Sequence, residues 1–200
     1  MIYEFFYSLV SSKKTPKHTR INMNPEIITK IGKLSFSVIA KVGDTSRAKI
    51  RTKKVTPKLP DGMSVENSTL VLLTMPALVP IEQLKFTCKL SESFPKGCGC
   101  TGEALDAWEW EDRNRLVVIG TEDGEWLESR LKLADITKEN YPVHYHKNSI
   151  DIEIEKYSEG GTFSLHFAVS ENPSPEEKDC SCWFSVDVSH DRVLREFEQS

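Results

Sequence analysis

Residues 150–169 read IDIEIEKYSEGGTFSLHFAV, and their pattern indicates the fold class more clearly than any other segment. Apolar and polar residues alternate in it, first as Ile-Asp-Ile-Glu-Ile-Glu and then as Phe-Ser-Leu-His-Phe-Ala-Val. Successive side chains of a β-strand point to opposite faces, so such alternation is typical of strands with one buried face. Gly160 and Gly161 between the two runs favour a turn, and the sequence therefore predicts an antiparallel hairpin. The predicted core-facing residues are Ile150, Ile152, Ile154, Phe163, Leu165 and Phe167.

The same pattern, followed outward from this stretch, predicts that most of the chain is β-structure. Alternating or continuously apolar runs between Gly, Pro and Asp turns predict strands at residues 34–42, 47–53, 69–75, 84–90, 105–111, 116–121, 126–133 and 180–188. Residues 25–31 are expected to form a short helix or an irregular lead-in, and residues 91–102 a loop. Ser189 is expected to cap a terminal helix. The predicted fold is mainly β: an antiparallel β-sandwich or open barrel of about nine strands with a short C-terminal helix.

Length and composition indicate one domain. The chain has 200 residues, and its content of Leu, Ile, Val and Phe is sufficient for a packed core. Residues 23–200 are predicted to form a single β domain, and residues 1–22 a disordered tail or an upstream extension of the reading frame. The apolar run near the N-terminus precedes the basic cluster, the wrong order for a secretion signal, and no run is long enough to span a membrane. We expect a cytoplasmic protein without a membrane partner.

Charge is distributed unevenly along the chain. Residues 1–60 carry a net charge of +10 and residues 61–200 a net charge of −14, which together give −4. The strand at 47–53 presents a row of basic side chains, and the strand at 150–155 presents a row of acidic ones. The two rows can pair with each other or both face solvent. Since the basic strand has no aromatic residue for base stacking, we do not expect nucleic-acid binding.

Four of the five cysteines form two Cys-x-Cys pairs, Cys98 with Cys100 and Cys180 with Cys182. Residues two apart on a strand point the same way, so each pair would present two thiols on one side. Two such pairs brought together would supply the four thiolates of a structural zinc site. The same residues can instead be inert buried thiols or form a redox disulfide. Cys88 alternates with apolar residues and is expected in the core.

An acidic and aromatic segment offers a surface for binding another macromolecule. In it, Trp108 and Trp110 share one face of the predicted strand, Glu109 and Glu111 the other, and Asp112 follows. Carboxylates beside indoles also occur in glycosidase sites, but a half-buried strand produces the same pattern. These five residues are the predicted partner-binding set.

His144 and His146 form a second pair with ligand-like spacing, for which His166 or His190 would have to supply a third ligand. We interpret the pair as surface residues of a loop after Pro142. The sequence has no nucleophile elbow, zinc-protease motif or dinucleotide fingerprint, and no catalytic residue is assigned. The leading hypothesis is a non-enzymatic module that binds another protein through an acidic, Trp-bearing surface. The alternative is a zinc-thiolate or thiol-redox protein that uses the Cys-x-Cys pairs.

Overall fold

The computed structural model describes residues 25–91, 97–102, 104–112, 114–133, 137, 139–173 and 180–199, and residues 99–102 by their backbone alone. The tail or extension predicted at residues 1–22 lies outside this part. The described strands are β1 (Glu26–Thr29), β2 (Gly32–Ile39), β3 (Lys49–Lys54), β4 (Asn67–Pro76), β5 (Ile81–Leu90), β6 (Gly97–Gly102), β7 (Leu105–Glu111), β8 (Arg115–Glu122), β9 (Val143–His146), β10 (Ser149–Tyr157) and β11 (Thr162–Pro173). The described α-helices are α1 (Gly124–Leu131), α2 (Ser181–Val186) and α3 (His190–Glu198).

The strands form two antiparallel sheets that pack face to face. Sheet A has the order β1-β2-β5-β10-β9, and sheet B has the order β3-β4-β11-β8-β7-β6. Apolar side chains from both inner faces form a common core, in which the rings of Phe86 and Phe167 lie 4.8 Å apart across the two sheets. The predicted fold class, a mainly β antiparallel sandwich with a short C-terminal helix, is confirmed.

The predicted hairpin at residues 150–169 is wrong, although the residues expected to face the core do so. β10 pairs with β5 and β9 in sheet A, whereas β11 pairs with β4 and β8 in sheet B. Gly160 and Gly161 have φ angles of 72° and 74°, which glycine adopts without strain, and the chain passes from one sheet to the other there. Two strands facing each other across a sandwich alternate in the same way as two strands of one hairpin. The pattern therefore fixes the buried faces but not the pairing.

The strand predicted at residues 126–133 is wrong, because this segment forms most of α1. The side chain of Asp123 accepts a hydrogen bond of 2.8 Å from the backbone N–H of Trp126, which caps the first turn. Leu127 and Leu131, one helical turn apart, are both buried. The acidic turn before this segment is a helix cap rather than a hairpin turn.

The last predicted strand, residues 180–188, is also a helix for most of its length. Its buried residues recur at helical spacing and are Ser181, Cys182, Ser185 and Val186. Phe184, which the strand prediction places in the core, is 47% exposed. α2 and α3 pack on the outer face of sheet B, where a second apolar cluster forms. Among the described residues, no helix has the length and apolar character needed to cross a bilayer.

Three strands occupy segments for which the sequence predicts a helix, a lead-in or a loop. These strands are β1, β6 and β9, and each lies at the edge of a sheet. An edge strand has a neighbour on one side only and buries less of its surface, so its apolar alternation is weaker. Long alternating runs consequently identify the inner strands, while these short edge strands escape detection.

The basic and acidic rows lie in different sheets, so the predicted possibility that they pair is wrong. In sheet A, Lys85 of β5 lies 2.6 Å from Asp151 of β10 and neutralises part of the acidic row. In sheet B, Lys53 of β3 lies 3.4 Å from Glu196 of α3. Members of each row therefore pair with opposite charges in their own sheet or in the helix that covers it.

The inter-sheet core can be tested with two isoleucines of opposite exposure. Ile152 of β10 is completely buried, whereas Ile28 of β1 is 74% exposed. We expect Ile152→Ala to lower the free energy of unfolding by about 2–5 kcal/mol, because the truncation leaves a cavity. The matched change Ile28→Ala should stay within about 0.5 kcal/mol of the parent in urea unfolding. A loss below about 1 kcal/mol for Ile152→Ala would contradict its placement in the core.

Candidate functional site

The two tryptophans of the predicted partner-binding set lie on the inner face of β7. Trp110 is completely buried, and its Nε1–H donates a hydrogen bond of 3.1 Å to the backbone oxygen of Lys147. Trp108 is half-buried and stacks on Tyr145 with ring centroids 5.5 Å apart. The alternating face that carries both indoles is the core face, and this burial removes Trp110 from any surface that a partner can reach.

The acidic residues of that set point the other way. Glu109 accepts a hydrogen bond of 2.7 Å from Nε1 of Trp183 in α2, and so helps to hold that helix on sheet B. Glu111 and Asp112 are exposed at the turn between β7 and β8. A partner-binding role for Glu109, Glu111 and Asp112 stays a prediction.

The cysteine pairs do not both lie on strands. Cys98 is exposed on β6, Cys180 is exposed at the start of α2, and Cys182 is buried within that helix. Residues two apart in a helix point in nearly opposite directions, so Cys180 and Cys182 do not present two thiols on one side. The side chain of Cys100 lies outside the described part of the chain, and the four-cysteine zinc site stays a prediction. Cys88 is buried as expected, and burial raises the pKa of its thiol.

A different group of ligand-type side chains comes together on the outer face of sheet B. Glu122 ends β8, His166 lies in the middle of β11, and His190 begins α3; all three are buried. Within the described residues, this is the group of three or more His, Cys, Asp and Glu whose ligand atoms all lie within 4.8 Å of one another. Gly120 precedes Glu122 on the same face of β8. A Cβ at this position would lie 2.9 Å from the side chain of Val186 in α2, so only glycine leaves enough room for the helix. The helical layer can therefore lie close to the sheet.

The hydrogen bonds of the two imidazoles determine where their protons lie. Nε2 of His166 lies 3.2 Å from the backbone oxygen of Val188, which only accepts, so this nitrogen carries a proton. Nδ1 of His166 then has a lone pair, and Nδ1 of His190, 2.9 Å away, donates to it. Nε2 of His190 is left as the acceptor for the hydroxyl of Ser164 at 2.8 Å. The buried network thus holds two neutral imidazoles of opposite tautomer.

Burial keeps both imidazoles neutral. It lowers the pKa of His166 to about 3, and the positive charge of Arg130 acts in the same direction. Burial likewise lowers the pKa of His190 to about 2, with contributions from His166 and Arg130. Glu122 Oε2 lies 3.9 Å from His166 Nδ1 and 3.8 Å from His190 Nδ1, but the charge partner of this carboxylate is Arg130. Nε of Arg130 lies 3.0 Å from each of its oxygens.

A pocket of about 320 Å³ opens above this network, between α1 and the start of α3. Glu122 and His190 border it from below. On its rim stands Trp126, whose side chain is 58% exposed. The pocket lining consists of Ala104, Glu122, Trp126, Ser129, Arg130, Asp187, Val188, Ser189, His190 and Asp191. The pocket joins the buried network to solvent and offers an indole and several carboxylates to a ligand.

Sequence reasoning found two members of this site but considered them with another pair. His166 and His190 were named only as the third ligand that a site at His144 and His146 would require, and that pair was interpreted as part of a surface loop. His144 and His146 instead lie on β9 of sheet A. There His146 Nε2 lies 3.0 Å from Asp151. The sequence signal for the site was His166 itself, a polar residue on a strand whose other outward-facing residues are small.

Comparison of the chain with protein-family models, curated proteins and solved structures gives no match. The geometry of the site is therefore the basis for the function proposed below.

The two depressed histidine pKa values predict that the fold loses stability in mild acid. The unfolded chain binds protons below about pH 6.5, whereas the folded chain does not bind them at these sites until the pH is near 3. The contribution of the two neutral histidines to the free energy of unfolding is therefore complete above pH 6.5. It is lost as the pH falls, by up to about 1.4 kcal/mol per pH unit for each histidine.

Urea unfolding in the presence of a chelator, at several values from about pH 7 to about pH 5, measures this slope. We expect His190→Gln to have a shallower slope than the parent. Ile28→Ala, which changes an exposed side chain without a titratable group, should leave the slope unchanged. Equal slopes in the parent and in His190→Gln would contradict the burial of a neutral imidazole at position 190.

Proposed function

We propose that the protein is a non-enzymatic binding module and that the pocket beside Trp126 takes a cationic side chain of a partner protein. The observation that carries this proposal is the indole of Trp126, more than half exposed at the rim of a pocket that also contains carboxylates. The proposed surface has the acidic and Trp-bearing character of the surface that the sequence predicts, but we propose it on α1 and α3 rather than on β7.

Trp126 is well placed to act as an anchor for a ligand. Its backbone N–H donates to the Asp123 cap, so the position of the residue on α1 is fixed before a partner arrives. An exposed indole face attracts ammonium and guanidinium groups through the ring quadrupole. Large aromatic residues at the edge of a pocket also supply much of the binding energy in protein interfaces.

The charges of the pocket favour a positive ligand. Arg130 and Glu122 bond to each other and form an internally neutral pair at the base. Asp187 and Asp191, both exposed, add two negative charges at the rim. A lysine or arginine side chain can place its charge between these carboxylates while its methylene groups contact the indole.

The arrangement of the imidazoles favours recognition over acid–base catalysis. The nitrogens of His166 and His190 bond to each other, to Ser164 and to the backbone of Val188. Burial holds the pKa of each imidazole far below neutrality, whereas a general acid or base works best with a pKa near the working pH. The network supports the pocket floor and the start of α3.

The proposal is tested with a hexa-arginine peptide as the cationic probe and a hexa-glutamate peptide as its opposite. The measurement is the shift of the tryptophan indole N–H signals in two-dimensional NMR, in a buffer that contains a chelator. We expect the arginine peptide to shift the signal that is missing from the spectrum of Trp126→Ala, and added salt to weaken its binding.

Variants locate the interaction. Calorimetric titration, which does not need the Trp126 signal, gives the Kd of each variant. Trp126→Ala and the double change Asp187→Asn, Asp191→Asn should each raise the Kd for the arginine peptide about fivefold or more. Phe184→Ala is the matched control, because it removes another exposed aromatic side chain from outside the pocket. Undiminished binding by Trp126→Ala, or equal binding of the glutamate peptide, would contradict the proposal.

A further inference from the structure

The geometry points to a metal site: we infer that Glu122, His166 and His190 together bind one divalent transition-metal ion of the zinc type. The three ligand atoms are Oε2 of the carboxylate and Nδ1 of each imidazole. Arg130 donates to the same Oε2 from Nε at 3.0 Å and from Nη2 at 2.5 Å, so its guanidinium has to shift toward Oε1 when an ion binds. This inference does not rest on the proposed cation pocket: Glu122 and His190 line that pocket, but the metal site is argued from the separations of its own three ligand atoms.

The distances between the three atoms suit such an ion. The two Nδ1 atoms lie 2.9 Å apart, and Glu122 Oε2 lies 3.9 Å and 3.8 Å from them. Three atoms with these separations lie on a circle with a radius of about 2.1 Å, so a single point has the Zn–N and Zn–O distance to all of them. In tetrahedral coordination these separations are all about 3.4 Å, so the two Nδ1 atoms have to move apart by about 0.5 Å and Glu122 Oε2 has to move about as much closer to both.

The protonation states of the network are compatible with a metal ion after one proton moves. His166 already has a lone pair on Nδ1 and a proton on Nε2, which the oxygen of Val188 accepts. His190 has to transfer its proton from Nδ1 to Nε2, where Ser164 Oγ changes from donor to acceptor. Both imidazoles stay neutral and no proton is released. Each ligating ring is then oriented by a second hydrogen bond on its other nitrogen, as is usual for metal-bound histidine.

The surroundings also provide an open position and an entry path. Glu122 and His190 border the pocket, whereas His166 lies behind them and is completely buried. An ion held by the three residues would therefore face the pocket with its fourth position, where water or a ligand group can bind. Two imidazoles and one carboxylate favour Zn²⁺ and its transition-metal neighbours over Mg²⁺ and Ca²⁺, which prefer oxygen ligands.

The test is a calorimetric titration of zinc into protein without an affinity tag that has been treated with a chelator. Mg²⁺ is the control ion. We expect one equivalent of Zn²⁺ to bind and Mg²⁺ not to compete. Glu122→Gln and His166→Gln should each weaken zinc binding tenfold or more, which is typical for loss of a ligand or its support. His146→Gln, which alters a histidine beside a carboxylate in the other sheet, should bind zinc like the parent.

A double change, Cys98→Ser with Cys180→Ser, separates this site from the predicted thiolate site. Zinc binding that is lost in this variant but retained in His166→Gln would overturn the inference. Because a change at a buried histidine can disturb folding, the imidazole nitrogen spectrum of the unmodified protein gives a second test. We expect zinc to shift the Nδ1 signals of two histidines and to move the proton of one ring to Nε2. Imidazole signals that do not respond to a full equivalent of zinc would also overturn it.

Discussion

Burial of sheet B on both faces is the constraint from which the functional region follows. β11 shows it most clearly, because every residue from Phe163 to Ser170 is buried. Its inner side chains are large and apolar and fill the space between the sheets. Its outer side chains are small or polar, and they lie beneath the covering helices α2 and α3. Because these outer side chains are small, the helices can lie close to the sheet. Large apolar side chains at the same positions would keep them farther away.

A polar residue in this covered layer must find its partners there. Each polar atom of a buried imidazole that lacks a hydrogen bond lowers the stability of the fold by about 1–3 kcal/mol. His166 meets this requirement with Val188 and His190, and both belong to the segment that covers the sheet. The start of α3 is therefore fixed to sheet B by directed hydrogen bonds as well as by apolar packing. The contacts of His166 with Val188 and of His190 with Ser164 orient the two rings, and the proposed metal site uses the two Nδ1 atoms that this orientation brings together.

The sequence carries the information for buried faces much better than the information for neighbours. Alternation identifies the inner strands, because each has one face in the core, and it correctly selects residues such as Ile152 and Phe167. It does not reveal that β10 and β11 lie in different sheets, since both arrangements require the same apolar faces. The helices α1 and α2 escape because each is short, so that a few apolar residues fit both periods.

The site was harder to predict than the fold for a related reason. Glu122, His166 and His190 come from a strand end, a strand centre and a helix start, and no local spacing joins them. The local sequence predicts at most the secondary structure and exposed face of each residue, such as the position of His166 on the outward face of its strand. Their meeting depends on α2 and α3 folding back over sheet B, which the strand interpretation of residues 180–188 excluded.

The covering of sheet B is incomplete, and both proposed activities draw on the gap that results. α2 has six residues and α3 has nine, and α1 lies at the end of β8, so the pocket remains between α1 and the start of α3. Glu122 and His190 border this gap from within and belong to both the pocket and the metal site. Trp126 belongs to the pocket alone, and His166 to the buried site alone. Trp126→Ala is therefore expected to weaken peptide binding alone, and His166→Gln zinc binding alone. A change at Glu122 or His190 is expected to affect both proposed activities.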